Sequence, residues 1–208
     1  GLSPKGGRSV PGTSDLVDHL ASRLAALAPA FPDVRLSVAY SGGVDSLALL
    51  HAARELAAHQ PALTLRAIHV DHGLQAAAAQ WAGHCREHCR RLAVPLDVVE
   101  LELEVAKGES VEAEARRERY AALAARLQPG ECLLTAHHAD DQLETVLLQL
   151  FRGAGVAGLA AMPDRAVLGA GLHLRPLLET GLDQLVAYAR SLGLEWVEDP
   201  MHAEYRYD

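Results

Sequence analysis

Apolar positions recur along this chain with two different spacings, one typical of helices and one typical of strands. From residue 15 onward a three- and four-residue spacing predicts a first helix that ends near Pro29. Its apolar positions are Leu16, Leu20, Leu24 and Leu27. Between residues 34 and 38 apolar residues alternate instead, which predicts a short strand. A glycine pair follows this strand, and a new helical pattern begins at residue 46.

The same order of strand and helix then repeats to residue 151. The predicted strands cover residues 63–70, 96–101 and 131–136, and the predicted helices cover residues 46–58, 75–93, 110–127 and 140–151. Strands that alternate with helices of this length form parallel sheets covered by helices on both faces. The predicted fold class is therefore α/β, with an open, Rossmann-like parallel sheet.

Three segments are expected along the chain. Residues 1–14, rich in glycine, proline and serine, are expected to be a flexible leader. Residues 15–160 form the main domain. Residues 161–208 form a smaller C-terminal extension, in which short pieces punctuated by glycine and proline precede one helix over residues 182–192. Thr180 is the predicted cap of that helix.

Composition narrows the classes of protein that fit. Of 208 residues, 50% are hydrophobic and 22% charged, which is sufficient for a substantial core and excludes a wholly disordered chain. No stretch of about eighteen apolar residues occurs, so we expect neither membrane insertion nor secretion. Three cysteines give no regular disulfide framework and favour the cytoplasm. The net charge of −8 argues against holding nucleic acid by bulk attraction alone.

The loop after the first strand, residues 41–46, reads Ser-Gly-Gly-Val-Asp-Ser. Ligands of open parallel sheets bind beyond the carboxyl ends of the strands. Paired glycines let backbone N–H groups face a ligand, and the helix that follows adds partial positive charge, so the loop suits an anion such as phosphate. From the glycines alone, a plain turn with Ser46 capping the helix is an equally good interpretation.

A second cluster of polar residues follows the strand at 131–136. His137, His138, Asp140, Asp141 and Glu144 lie within eight residues. Asp141 and Glu144 are spaced as a helix cap, with the leucines and valine at 143, 146, 147 and 150 as the buried face of the helix. A cap does not need the remaining acid and both histidines, and clustered carboxylates repel unless a cation lies among them. We therefore favour a site for an ammonium group or a metal ion.

Other histidines and cysteines have simpler explanations. His84 with Cys85, and His88 with Cys89, recur four residues apart and could chelate a soft metal. We expect instead that these cysteines are small buried residues, on a helix away from the predicted crevice. No Cys-x-x-Cys motif occurs, which argues against sulfur transfer chemistry.

The hexapeptide at 41–46 resembles the pyrophosphate loop of the ATP pyrophosphatase family. From residue 34 to the end, further segments occur in the order found in the tRNA(Ile)-lysidine synthetases of that family. They are HVDHGL (69–74), EAEARRERY (112–120), AHHADDQLET (136–145), FRGAG (151–155), RPLL (175–178) and WVEDP (196–200). One departure is Ala136, where glycine is more usual before the two histidines.

The resemblance implies a two-step reaction on RNA. ATP adenylates O2 of the wobble cytidine in an isoleucine tRNA with a CAU anticodon, and the ε-amine of free lysine then displaces AMP at C2. The products are lysidine, AMP and pyrophosphate, and Mg²⁺ is the expected ion. The resemblance also implies that this chain is a catalytic domain truncated before tRNA-binding domains. Whether it forms a homodimer stays open.

The same resemblance implies residue roles. ATP would be bound by Ala39, Ser41, Gly42, Gly43, Asp45, Ser46, Val70, Asp71 and His72, with Asp45 and Asp141 at the metal. The expected catalytic residues are Asp45, Arg116, His137, Asp141 and Glu144. The expected contacts to tRNA or lysine are Arg116, Arg119, Asp141, Glu144, Arg152 and Arg175.

Three alternatives remain at this point. His69 and His72 could simply satisfy carbonyls at a strand end rather than line a nucleotide pocket. Which acid binds lysine and which binds Mg²⁺ is open. As a whole, the chain could instead be another adenylating amidotransferase or thiolase of the superfamily, or a nucleotide-binding module without catalysis.

Overall fold

One sheet organises the part of the chain that the structure describes. The structure is a computed structural model, and it describes residues 13–71, 78–101, 110–151 and 161–196. The strands are β1 (Arg35–Ala39), β2 (Thr64–Asp71), β3 (Leu96–Glu100), β4 (Glu131–Leu134), β5 (Arg165–Leu168) and β6 (Gly171–Leu174). They lie in the order β3-β2-β1-β4-β6-β5, and all neighbours are parallel except β5 and β6. The predicted α/β class with an open parallel sheet is confirmed.

Helices lie on both faces of this sheet. They are α1 (Thr13–Leu27), α2 (Val44–His59), α3 (Ala78–Arg91), α4 (Val111–Arg126), α5 (Ala139–Phe151) and α6 (Leu182–Ser191). Alternate side chains of a strand point to opposite faces, so Leu134 joins the main core with α1, α2, α3 and α6, whereas Leu133 joins a smaller core with Leu123 of α4. No described helix is long and apolar enough to cross a membrane.

The strand order determines where the loops meet. From β1 the chain proceeds to β2 and β3 on one side, and β4 then pairs with β1 on the other side. The loops that follow β1 and β4 therefore diverge from adjacent strand ends, which is the position where open α/β sheets bind ligands. Residues 40–43 and 135–138 are these two loops, and the hexapeptide at 41–46 continues into the first turn of α2.

Strands β5 and β6 form a hairpin that the sequence did not predict. Two residues connect them, since Leu168 pairs with Gly171. Gly169 has a φ of +56°, and a Cβ there would clash with the carbonyl of Ala124. The hairpin extends the sheet beyond residue 160, and the boundary proposed there stays a prediction.

The start of α6 differs from expectation. The cap residue is Gly181, whose N–H donates to Gln184 Oε1 over 2.9 Å, and Asp140 Oδ2 accepts the N–H of Leu182 over 3.0 Å. Thr180 is buried and its carbonyl accepts the N–H of Ala139. The predicted Thr180 cap is therefore wrong, because a distant carboxylate and a glutamine satisfy these N–H groups.

The apolar face of α5 is also not where the pattern placed it. Leu143 is 61% exposed, Leu147 and Leu150 are exposed, and no described side chain of α5 is buried. The bonds that connect α5 to the fold lie in its first turns, where Asp140 reaches α6 and Gln142 exchanges two hydrogen bonds with the backbone of Met162. The leucines at 143, 147 and 150 are thus exposed to solvent, and the prediction of a buried face is wrong.

Candidate active site

The loop between β1 and α2 depends on a glycine at position 42. Gly42 has a φ of +92°, which side chains rarely adopt, and it is buried against α3. A Cβ at this position would clash with Trp81 Nε1 and come within 3.2 Å of Cys85 Sγ. The glycine therefore permits both the turn of the backbone and its close approach to the neighbouring helix.

The helix N-terminus behind the loop is open. The cap residue of α2 is Gly43, which has no side chain to cap the helix, and its own N–H donates to Ser41 Oγ over 3.4 Å. The first N–H groups of a helix have no partners within the helix and carry partial positive charge. Such an N-terminus next to a glycine turn is suited to bind phosphate.

Two serines hold the loop in its shape. Ser46 Oγ accepts the N–H of Ser41 at 3.2 Å, donates to the Gly43 carbonyl at 3.1 Å and lies 3.0 Å from Ser41 Oγ. Ser46 is buried, whereas Ser41 is exposed. The hydroxyl of Ser46 therefore organises the loop, and the hydroxyl of Ser41 lies at its accessible edge.

A cluster of acids surrounds one imidazole beside the loop. His138 Nε2 lies 3.6 Å from Asp45 Oδ2 and 3.6 Å from Asp141 Oδ2, and its Nδ1 lies 3.5 Å from Asp140 Oδ2. Asp45 belongs to the first turn of α2, and the other acids belong to the first turn of α5. The adjacent ends of β1 and β4 thus bring together residues that lie about ninety positions apart in the sequence.

His138 lies where a positive charge would offset this cluster of acids. Burial alone would lower the pKa of His138, but the nearby carboxylates of Asp45, Asp141 and Asp140 outweigh it and raise the pKa above its usual value. A protonated imidazole between two carboxylates reduces their repulsion. The sequence places both histidines in the predicted cluster, but the resemblance gave the catalytic role to His137 and none to His138, because adjacent residues in a loop give no sign of which one faces the acids.

Asp45 has an oxygen suited to a cation. Its Oδ1 is buried without a hydrogen-bond partner, which is unusual for a carboxylate oxygen. Among the described residues no three acids, histidines or cysteines are grouped so as to hold a metal ion by themselves. Mg²⁺ commonly binds through one or two carboxylates together with phosphate oxygens and water. The donor set fits a magnesium ion that arrives with a nucleotide better than a permanently bound metal.

Asp141 and Glu144 occupy different environments. Asp141 Oδ2 accepts the N–H of His138 at 2.9 Å and so caps the start of α5, while Glu144 is exposed one turn further along. The capping arrangement that the spacing of these two acids indicated is therefore wrong in detail, because the helix begins two residues before Asp141. Because they lie three residues apart, both acids face the same side of α5.

A second cluster, on the far side of the loop after β4, is cationic. The guanidinium groups of Arg116 and Arg119 lie 5.4 Å and 5.5 Å from the centre of the Tyr120 ring, as expected for residues on one face of a helix. Arg116 is exposed, and burial lowers the pKa of Arg119. Arg175 donates to the Pro163 carbonyl at 2.7 Å, and its buried Nε has no partner.

His137 belongs to this cationic cluster rather than to the acids. Its Nδ1 and the Nε2 of His173 each lie 2.8 Å from the Thr135 hydroxyl. Burial and then the positive charge of Arg175 and Arg116 lower the pKa of His137 to about 3, so this ring is neutral at pH 7. Tyr120 OH is also buried without a partner. The two adjacent histidines thus face opposite charges.

The expected adenosine-binding residues lie at the ends of β1 and β2. Ala39, Val70 and Asp71 are half-buried at these strand ends. His69 is buried, and its Nδ1–H donates to the Tyr40 carbonyl at 2.8 Å, so for this residue the simpler interpretation is correct. His72 and Arg152 lie outside the described residues.

Sequence reasoning also missed the contribution of α3. All three cysteines are free and buried, as expected for small apolar residues. However, the helix that carries Cys85 and Trp81 packs directly against the loop at Gly42 and does not lie away from the crevice. An aromatic residue and a cysteine four positions apart on a helix gave a weak sign of a packed face, but only the fold shows that this face meets the glycine turn.

Together, the sheet topology, the glycine turn and the acids beside it define a class of α/β nucleotide-binding enzymes. The chain belongs to the PP-loop domain family, whose model matches residues 16–208.

Within that family, this chain is similar to several curated tRNA(Ile)-lysidine synthases. The one from Alkalilimnicola ehrlichii is 51% identical over 191 residues, which cover 92% of this chain and 42% of that protein. The one from Pseudomonas aeruginosa is 49% identical over 184 residues, which cover 88% of this chain and 41% of that protein. The chain therefore spans about two fifths of the length of these curated relatives.

Solved structures share the fold at low sequence identity. The U34-tRNA thiolase NcsA from Methanococcus maripaludis superimposes with a TM-score of 0.69 at 17% identity, covering 90% of this chain and 67% of that one. The NMN synthetase from Francisella tularensis gives a TM-score of 0.59 at 14% identity, covering 89% of this chain and 72% of that one. These likenesses concern the arrangement of sheet and helices.

Proposed function

We propose that this chain is the ATP-binding, catalytic part of a tRNA(Ile)-lysidine synthase. The observation that carries the proposal is the loop at 41–46, with its open helix N-terminus and Asp45 beside it, in a chain about half identical to proteins of that name. The reaction joins free lysine to C2 of the wobble cytidine of an isoleucine tRNA with a CAU anticodon, at the expense of ATP.

In the first step, the loop binds the ATP phosphates. The N–H groups of Gly42, Gly43 and the first turn of α2 supply donors and partial positive charge, and Ser41 adds a hydroxyl at the accessible edge. Cytidine O2 attacks the α-phosphorus, and pyrophosphate leaves with the electron pair of the broken P–O bond. This step turns a poor leaving oxygen into part of a good leaving group.

Mg²⁺ would be held by Asp45 and Asp141 together with phosphate oxygens. It would neutralise charge on the phosphates when bound. The unpartnered Oδ1 of Asp45 supports this assignment for Asp45. Asp141 is the second ligand we propose, because its carboxylate faces Asp45 across His138 Nε2.

In the second step, the ε-amine of lysine attacks C2 of the adenylated cytidine. The amine loses a proton, and AMP leaves with the former O2 of the base. We assign the lysine ammonium to Glu144 with Asp141, because Glu144 is exposed three residues after Asp141 on α5 and opposite charge attracts the substrate.

The cationic cluster supports binding of RNA. Arg116, Arg119 and Arg175 concentrate positive charge around the neutral ring of His137 in a chain of net charge −8. Guanidinium groups bind phosphate oxygens in a fixed fork. We propose that these arginines hold the nucleotide or the phosphate next to the wobble cytidine, and that His137 helps to position it. Arg152 belongs to the same proposed set from the sequence alone.

The reaction can be tested with the full-length protein. Incubated with ATP, Mg²⁺, labelled lysine and an isoleucine tRNA transcript with a CAU anticodon, it should transfer label to the RNA and release one AMP per lysine incorporated. The same transcript with guanosine at the wobble position is the matched control and should accept no lysine.

Other outcomes identify the alternatives. Release of pyrophosphate that requires ammonia or a sulfur donor instead of lysine would identify another adenylating enzyme of this superfamily. Binding of ATP with no pyrophosphate release in the presence of any RNA would identify a nucleotide-binding module. Either result would contradict the proposed function.

A further inference from the structure

Trp81 contacts the phosphate loop from outside the site described above. Its indole Nε1–H donates a hydrogen bond of 2.6 Å to the Ser41 carbonyl. The same ring occupies the space that a Cβ at Gly42 would need, and Cys85, one helical turn further along α3, lies beneath the same glycine. Trp81 is half-buried and packs against the main core.

This contact fixes one peptide group of the loop. The Ser41 carbonyl and the Gly42 N–H belong to the same planar peptide unit, and in a trans peptide the two groups point in opposite directions. When the carbonyl is held toward α3, the N–H of Gly42 must point away from α3. Glycine at position 42 does not by itself restrain this unit, because glycine tolerates many backbone conformations.

We propose that Trp81 is a positioning residue for ATP: its indole N–H holds the peptide between Ser41 and Gly42 in the orientation that presents the Gly42 N–H to the phosphates. The inference rests on the proposed binding of ATP by this loop. It extends the site to α3, whose Trp81 and Cys85 lie against the loop at Gly42.

Loss of one neutral hydrogen bond sets the size of the expected effect. Such a bond changes an equilibrium by about 2- to 10-fold. Replacing Trp81 by phenylalanine retains an aromatic ring and removes the N–H donor. Trp81→Phe should therefore raise the Kd and the KM for ATP by about 2- to 10-fold, and should leave the KM for lysine unchanged.

Trp196→Phe is the matched control. Trp196 is half-buried and also packs against the main core, but among the described residues it is the indole of Trp81, not that of Trp196, that donates to the loop. It should leave the Kd and KM for ATP at wild-type values. A purely structural role for Trp81 would lower the fraction of folded enzyme, which would reduce kcat with both KM values unchanged. That result, or wild-type ATP affinity in Trp81→Phe, would overturn the inference.

A second measurement does not need Trp81 to be replaced. The 208-residue chain contains two tryptophans, so in the Trp196→Phe variant the indole N–H signal in a proton–nitrogen spectrum belongs to Trp81. That N–H should exchange slowly with solvent, and its signal should shift as MgATP is added, saturating with the calorimetric Kd. Rapid exchange, or no response to bound MgATP, would overturn the inference.

Failure of the two proposals can be told apart. If the wild-type protein binds no ATP, the proposed function itself fails. If the wild-type protein binds ATP and the Trp81→Phe variant binds it equally well, only the role of Trp81 is rejected.

Discussion

At the scale of single residues, the proposed use of a nucleotide by the loop depends on Asp45. Its carboxylate has a buried, unpartnered Oδ1 and faces His138 with Oδ2. Asp45→Asn keeps the shape and removes the charge, so adenylation of the tRNA should fall by about 100-fold or more while the fold persists. The measurement is release of AMP and pyrophosphate by the full-length protein, with the melting temperature as a check on folding.

Asp183→Asn provides the control for that substitution. Asp183 occupies the same position in the first turn of α6 that Asp45 occupies in α2, but its Oδ1 accepts only the N–H of Gln184 among the described residues. Its replacement should leave adenylation unchanged. Equal activity of the two variants would remove Asp45 from the site.

His51 gives a pH dependence of stability. Its Nε2 lies 2.9 Å from the Nε2 of His88, and burial, then the charge of His88, lower the pKa of His51 from 6.5 to about 4. The unfolded chain takes up this proton near pH 6.5 and the folded chain only near pH 4. Stability is therefore lost as the pH falls through this window, by on the order of 1 kcal/mol for a partly exposed ring.

Urea unfolding at pH 7 and pH 4.5 measures this contribution. His51→Gln retains hydrogen-bonding groups toward His88 and cannot titrate, so its loss of stability on acidification should be smaller than that of the wild type. His59→Gln, on the exposed end of the same helix, should lose as much as the wild type. An equal loss of unfolding free energy between pH 7 and pH 4.5 in His51→Gln and wild type would contradict this account.

At the scale of elements, the turn between β1 and α2 requires a glycine at position 42. Gly42→Ala would force a side chain into a positive φ and against the Trp81 ring, so the loop must shift. We expect a stability loss of about 1–2 kcal/mol and a large loss of ATP affinity. Gly83→Ala, on the exposed side of α3 with open space around it, should instead stabilise the protein by about 0.5–1 kcal/mol. Calorimetry with ATP and thermal unfolding distinguish the two.

Polar substitutions on the exposed face of helix α5 should be tolerated unusually well. Leu147 is exposed, so Leu147→Gln should change the unfolding free energy of this chain by less than about 0.5 kcal/mol. Leu50 is fully buried in α2, and replacing it by alanine should lower the unfolding free energy by about 2–5 kcal/mol. Denaturant unfolding of both variants gives the comparison. A loss of several kcal/mol for Leu147→Gln would show that α5 packs more closely than described.

These elements also show what the sequence could predict. The strands and helices up to residue 151 follow from the spacing of apolar residues, and their alternation is sufficient for the parallel sheet. The hairpin β5–β6 was not predicted, because its four-residue strands are too short to show a clear alternation of apolar and polar residues. The glycine in its two-residue turn was nevertheless a usable signal. The exposure of the apolar face of α5 was not predicted either, because a periodic pattern shows which face of a helix is apolar but not whether another element covers it.

At the scale of the whole molecule, one rule of topology located the site. Strand order placed the loops after β1 and β4 side by side, and the acids predicted at 45 and 141 meet there around His138. Which of two adjacent histidines faces these acids depends on the path of the loop after β4, and the role of Trp81 depends on how α3 crosses the sheet. Both are set by long-range packing, which a linear pattern does not contain.

The division of charge between two clusters follows from the same topology. Acids collect at the first turns of α2 and α5, while arginines from α4 and from the end of β6 meet around His137. A nucleotide with its phosphates at Gly42 would lie between a region suited to cations and one suited to phosphates. This separation is consistent with the proposed reaction, which would bring together ATP, an amine and an RNA.

A crystal structure of this chain with a non-hydrolysable ATP analogue and Mg²⁺ tests the central claim most directly. The account predicts phosphate oxygens within hydrogen-bond distance of the N–H groups of Gly42, Gly43 and the first turn of α2, with the ion on Asp45 and the adenosine beside Val70. Nucleotide density elsewhere on the protein, or phosphates turned away from the N-terminus of α2, would contradict it.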